Sequence, residues 1–264
     1  MNRSHNHQSA FQRIGLVCCL LSCANGAMAA EIIFVTDFEN SHPIQWVQHH
    51  SAQFGSLDLS ISSGPASVTA ARGCNQMGKF TLWMQVPPGL NGNADYPDYS
   101  AIKVFGNCAV FAPNVGECIA IDGSIAEFNG ATELTNASFT QLSPSDCGTP
   151  PVAYGSASVA DVASDSLPNT AGNQIGPRAE ALESVLLKLS SVEVITPNDF
   201  SGDFLVTAQS DLVGARVVVG NNLYTYPAVP STMLSSITGV LDQQDVMPDT
   251  IFQLLPRDGS DIGP

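Results

Sequence analysis

Three stretches of this chain occur twice, in the same order. Gly78-Lys-Phe80-Thr-Leu82 returns as Gly202-Asp-Phe204-Leu-Val206. Ala101-Ile-Lys-Val104-Phe-Gly106-Asn107 returns as Ala215-Arg-Val-Val218-Val-Gly220-Asn221. Ile121-Asp-Gly123-Ser-Ile125 returns as Ile237-Thr-Gly239-Val-Leu241. The offsets are 124, 114 and 116 residues, so only loop lengths separate the copies. An ordered internal repeat means one supersecondary unit built twice, and it constrains the fold more than any single motif.

The unit itself reads as short strands. Ile119, Ile121, Ile125 and Leu134 keep a near-alternating apolar pattern, the mark of half-buried strands. Asn129-Gly130 lies between the two runs, and both residues tolerate the positive φ that a tight hairpin turn needs. Upstream, Phe80, Leu82, Met84 and Val86 share one face, with Thr81, Trp83 and Gln85 on the other. Ile102 and Val104 point inward, Lys103 and Phe105 outward. In the second copy, strands are predicted around residues 185–195, 204–208, 215–219, 235–241 and 251–255, with Asp203, Leu205 and Thr207 outward. Heptads are absent, and the one helical suggestion is a few turns over residues 178–184.

The chain begins with a polar, acid-free stretch carrying Arg3 and Arg13, then an apolar run from Ile14 to Cys23, then Ala27-Met28-Ala29. That order is the pattern of a secretory signal peptide, and the run is too short to span a bilayer. Cleavage after Ala29 would release a soluble chain. Leu20-Leu21-Ser22-Cys23 also fits a lipoprotein box, which would tether the protein to an outer membrane through Cys23. The expected organisation is therefore a signal peptide at 1–29, an N-terminal β segment at 30–59, a first unit at 60–142, a linker rich in Ser, Pro, Gly and Ala at 143–179, and a second unit at 180–264.

Charge narrows the partners. The formal net charge is −15, with 24 acidic and nine basic residues. Without Arg3 and Arg13 the exported chain would carry seven basic and 24 acidic residues, a net charge of −17. Such a chain is not drawn to nucleic acid or anionic lipid by bulk electrostatics. Beyond the leader four cysteines remain, Cys74, Cys108, Cys118 and Cys147. An even number in an exported chain implies disulfides. The hairpin reading places Cys74 beside Cys108 and Cys118 beside Cys147, so those are the predicted pairs.

Five short strands per copy, Gly-marked turns and a closing hairpin define an all-β protein made of tandem OB-fold-like five-stranded barrels. The run Gly116-Glu-Cys-Ile-Ala-Ile-Asp-Gly123-Ser-Ile-Ala-Glu-Phe128-Asn-Gly130-Ala-Thr-Glu133-Leu134 resembles a region of secreted bacterial endonucleases. There an OB-like segment precedes the endonuclease/exonuclease/phosphatase domain. Glu180-Ala-Leu-Glu183-Ser-Val-Leu-Leu187-Lys-Leu189 resembles the E-x-x-E-G-M-L-V-x-L strand of that region, and Leu255-Pro256-Arg257 with Asp261-Ile262 resembles its closing segment. The chain stops at Pro264, where the catalytic domain would begin, and none of that domain's catalytic motifs is present. The resemblance therefore implies an accessory module without the enzyme.

A direct search for chemistry agrees. The sequence has no G-x-S-x-G, no H-E-x-x-H, no P-loop and no dinucleotide-binding glycine pattern. His42, His49 and His50 lack metal-ligand spacing and read as solvated loop residues. No catalytic residue and no cofactor is assigned. Ca²⁺ is the one metal with candidates: Asp95 and Asp98 in the 87–100 loop, and Asp242, Asp245 and Asp249 around the second hairpin. Aspartate is also an ordinary turn residue.

OB folds bind ligands on the face of their second and third strands. In the first unit that face would carry Trp83, Lys103 and Phe105, with Tyr96 and Tyr99 overhead. Aromatic rings stack on bases or sugars, and one cation can guide a phosphate. The favoured reading of these two aromatics is nevertheless that Trp83 and Phe105 pack against residues 31–58 or against the second unit, because large exposed aromatics are usually covered. The function is accordingly read as a non-catalytic, exported binding module for a single-stranded oligonucleotide or a glycan, or alternatively as a structural protein or scaffold for another exported protein.

Overall fold

The computed structural model describes residues 60–62, 65–91, 97–109, 113–128, 130–163, 176–210, 214–246 and 249–264. The leader and the whole N-terminal segment at 30–59, with His42, His49 and His50, lie outside them.

The first sheet holds β1 (Ser60–Ser62), β2 (Ala66–Arg72), β3 (Lys79–Gln85), β4 (Ala101–Asn107), β5 (Cys118–Phe128) and β6 (Ala131–Gln141). β2, β3 and β4 form an antiparallel meander. β4 then runs parallel to β6, β6 antiparallel to β5, and β5 antiparallel to β2, which closes the ring. β1 pairs antiparallel with β5 beyond the β2 contact, Ser60–Ser62 lying against residues 122–124. The short helices α1 (Pro88–Asn91) and α2 (Pro144–Cys147) flank this barrel.

The second sheet holds β7 (Leu186–Val194), β8 (Phe204–Ala208), β9 (Arg216–Val219), β10 (Met233–Val246), β11 (Asp249–Leu255) and β12 (Ile262–Gly263). It repeats the same pairing: an antiparallel β7–β8–β9 meander, a parallel β9–β11 pair, and closure through β10. The duplicated sequence is thus a duplicated OB-like barrel. The repeated glycines of β5 and β10 have a steric reason. A Cβ on Gly123 would sit 3.1 Å from the Thr135 carbonyl oxygen, and one on Gly239 would sit 2.6 Å from that of Leu255.

The pairings correct one detail of the repeat. Phe80 faces Gly106 and Leu82 faces Val104, while Phe204 faces Val219 and Val206 faces Val217. Val104 therefore corresponds to Val217, one residue away from the match that the sequence suggests. Because side chains alternate, that single step decides which residues enter the core. Val217 and Val219 are buried, and Arg216 takes the place of Lys103.

Each barrel has its own apolar core. The first is built on Val68, Phe80, Leu82, Met84, Ile102, Val104, Ile119, Ile121 and Leu134. The second is built on Leu187, Leu189, Val192, Phe204, Val206, Val217, Val219, Ile237, Phe252 and Leu254, with Ala157, Val159 and Val162 from the Ser/Pro/Gly/Ala-rich segment. That segment also touches the second sheet edge, where Tyr154 bridges to Leu187. Residues 177–184 form turns and no helix. The disulfides are Cys74–Cys108 and Cys118–Cys147, the pairs the hairpins predict.

Candidate binding face

The alternation of β3 does what period-two patterning requires. Phe80, Leu82 and Met84 enter the first core, and Trp83 and Gln85 point away from it. Outward in this barrel is nevertheless not toward solvent. Trp83 is only 2% exposed. It joins Ala70, Leu186, Val240 and Leu255 in a third apolar cluster, built from strands of both barrels. The expected ligand face is, at its centre, the seam between the two units.

The polar groups of the seam are paired across it. Trp83 Nε1 donates to Asp242 Oδ1 at 3.3 Å. Lys103, opposite Trp83 in the β3–β4 register, lies 3.0 Å from Asp242 Oδ1 and 3.3 Å from Oδ2. Its ammonium is also 5.9 Å from the Trp83 ring centroid. One carboxylate therefore satisfies an indole N–H and a largely buried ammonium together. An unpaired charge there would be costly, so these three groups are mutually dependent. Gln85 extends the seam: its side-chain oxygen accepts from Leu186 N–H at 3.3 Å, and its amide nitrogen donates to Ser100 Oγ at 3.0 Å.

Two arginines clamp the edges. Arg257 Nη2 and Nε bind Asp261 at 2.7 and 2.8 Å, and Nη1 donates to the Thr69 carbonyl of the first barrel at 3.3 Å. The Asp261 hydrogen bond holds the Arg257 guanidinium in its charged form against the opposing effect of burial. Arg178 pairs with Asp98 and donates to Tyr154 Oη at 3.3 Å. Its hydrogen bond to Asp98, followed by that to Tyr154, likewise raises its pKa. Beside it, Tyr99 N–H donates to the Ala181 carbonyl at 2.6 Å.

These contacts separate the expected site residues. Trp83 and Lys103 are inside the seam. Phe105 is half-buried, with Lys79 Nζ 6.0 Å from its ring centroid. Tyr99 is 36% exposed, and Tyr96 lies outside the described residues. Two residues of the expected cation loops lie within ion pairs. Asp98 has Arg178 as its counter-ion, and Asp242 has Lys103. Asp95 and the side chains of Asp245 and Asp249 lie outside the described residues. Among the described residues, no group of three or more His, Cys, Asp or Glu could hold a metal ion.

The loop after the first strand of each barrel is a second matched feature. In the first barrel Asn75 Oδ1 accepts from Met77 N–H at 2.9 Å and Lys79 N–H at 3.0 Å, and Gly78 carries φ +69°. In the second, Asp199 Oδ1 accepts from the N–H groups of Ser201, Gly202 and Asp203 at 2.8, 2.9 and 3.0 Å, and Gly202 carries φ +95°. Both glycines sit where a side chain would be strained. Both loops present an apolar residue: Met77 is 79% exposed and Phe200 is 104% exposed. Sequence reading passed over Phe200, although one aromatic amid Asn198-Asp199 and Ser201-Gly202-Asp203 is an unusual turn composition.

The class defined by this geometry is a two-barrel, OB-like β protein whose barrels share a polar and aromatic seam. No protein-family model matches the chain, and no curated protein matches it. Among solved structures it is similar to the Ifi202 HINa domain in complex with a 20-bp dsDNA, at 10% identity and TM-score 0.32, over 74% of this chain and 91% of that one. It is also similar to the p202 HIN1 domain in complex with a 12-mer dsDNA, at 9% identity and TM-score 0.31, over 77% of this chain and 92% of that one. Among the described residues no helix is long and apolar enough to cross a membrane.

Proposed function

We propose that this protein is an exported, non-catalytic interaction module, a two-barrel scaffold that binds another exported protein through loops at the ends of its barrels. The observation that carries this reading is the burial of Trp83 against Asp242 and Lys103. The residues best suited to stacking and phosphate guidance hold the two barrels together, so they are withdrawn from ligand binding. Three of the seven basic residues beyond the leader, Lys103, Arg178 and Arg257, are engaged in ion pairs. Export is supported by the leader pattern and by two disulfides, which persist in oxidising compartments. The resemblance at residues 116–134 and 180–189 makes a secreted nuclease one candidate partner.

A second reading, a small oligonucleotide or glycan site, is favoured by the half-buried Phe105 beside Lys79. Titration of the exported form with labelled single-stranded DNA and with oligosaccharides separates the two. The scaffold reading expects no saturable binding at physiological salt. Saturable binding lost on Phe105→Ala would replace it with the second reading.

A further inference from the structure

Phe200 is the most exposed large apolar side chain among the described residues, at 104%. Its loop is held rather than loose. Besides the three backbone donors on Asp199, Ser201 Oγ donates to Asp199 Oδ1 at 2.7 Å. Asn198 Nδ2 donates to the Gly202 and Tyr226 carbonyls at 2.7 and 2.9 Å, and Asn198 Oδ1 accepts from Ala228 N–H at 2.8 Å. Asn221 Nδ2 donates to the Ser201 carbonyl. A side chain presented by a fixed backbone loses little further freedom on binding, which is what an interface anchor requires.

Phe200 has apolar company. Asn198 ties its loop to residues 226–228, and Val229, the next residue, is 62% exposed. Thr232 N–H donates to the Val229 carbonyl, and Met233 is 49% exposed. The segments that carry these three residues hold charge of one sign. Residues 189–215 and 217–256 contain no Lys, Arg or His, while Glu193, Asp199 and Asp203 lie on these same segments. Burial raises the Asp199 pKa, but the Ser201 hydroxyl and the three backbone donors outweigh it, so the carboxylate stays ionised below the usual range.

We infer that the 198–203 loop, with Phe200, Val229 and Met233, is a docking knob for a protein surface that offers an apolar pocket ringed by Lys and Arg. The acidic surroundings repel nucleic acid and anionic lipid and attract a cationic protein. The inference rests on the interaction-module reading and names the chemistry of the partner. Aromatic residues at interface centres are the usual energetic anchors.

The test uses the intact exported chain and a labelled amphipathic peptide of Leu and Lys, with its Leu and Glu counterpart as control and single-stranded DNA as a separate arm. The expected result is binding of the Leu/Lys peptide alone, weakened roughly tenfold or more by Phe200→Ser. Phe128→Ser, which removes an aromatic that is 60% exposed on the first barrel, leaves it unchanged. Circular dichroism confirms that both variants fold. No peptide binding, equal binding of the Leu/Glu peptide, or indifference to Phe200→Ser overturns the docking knob and leaves the interaction module standing. Saturable DNA binding overturns the interaction module itself.

Discussion

The two barrels are copies in topology and opposites in how they hold corresponding positions. In the first, Cys74 and Cys108 cross-link the loop before β3 to the end of β4. The strand pairings put Asn198 and Asn221 at those places in the second barrel. There Asn198 bonds the Gly202 and Tyr226 carbonyls, and Asn221 bonds the Ser201 carbonyl. A covalent tie has been exchanged for side-chain amide bonds with the loop conformation kept. On the neighbouring face, Trp83 opposite Lys103 becomes Thr207 opposite Arg216. The first pair sits in the seam. Duplication supplies the scaffold, and small substitutions at equivalent places decide which copy docks, which is cross-linked and which presents an aromatic.

The comparison breaks hardest at the seam. Trp83→Ala is expected to cost about 3–5 kcal/mol, the range for a large buried aromatic. Thr207→Ala, at the equivalent place, loses the hydrogen bond to the Ala215 carbonyl and should cost about 1 kcal/mol. Denaturant unfolding of both variants measures the gap, and equal costs would deny the asymmetry. Asp242→Ala strands Lys103 and the Trp83 N–H and should cost about 3–5 kcal/mol, whereas Lys103→Met combined with Asp242→Leu should recover the part owed to the stranded charge and leave the indole without its acceptor. A double-mutant cycle checks the coupling.

Weaker tests concern the ties. Replacing Cys74 and Cys108 with Ser is expected to lower stability by about 2–4 kcal/mol. Asn198→Ala, which leaves the Ala228 N–H and two carbonyls without their partner, should cost about 1–3 kcal/mol. Comparable losses would show that the amide network replaces the disulfide in energy as well as in position.

The smallest effect is on pH. The folded Asp199 carboxyl titrates below the ordinary aspartate value. Its contribution is therefore complete above the unfolded pKa and is lost as pH falls through the folded value. Asn75, the equivalent residue, does not titrate. Amide exchange at Ser201, Gly202 and Asp203 should accelerate in acid relative to Met77 and Lys79, and Asp199→Asn should abolish the difference.

The sequence by itself determined the parts governed by local periodicity and covalent reach. The repeat, the alternation of Phe80, Leu82 and Met84, the turn glycines and both disulfide pairs were legible because neighbouring residues dictate them. The one-residue shift of the third strand was not, since Arg216-Val-Val-Val219 alternates acceptably in either register until Phe204 and Val206 choose the partners. Nor was the fate of Trp83. An outward position on a strand is a local fact, but what lies outside it is not. Only the docking of the second barrel brought Asp242 to the indole and to Lys103, across 159 and 139 residues of chain. The same holds for Arg257 on Thr69, 188 residues apart. Contacts over such separations leave no periodic trace in either segment, so tertiary structure alone decided that the expected ligand face is a seam.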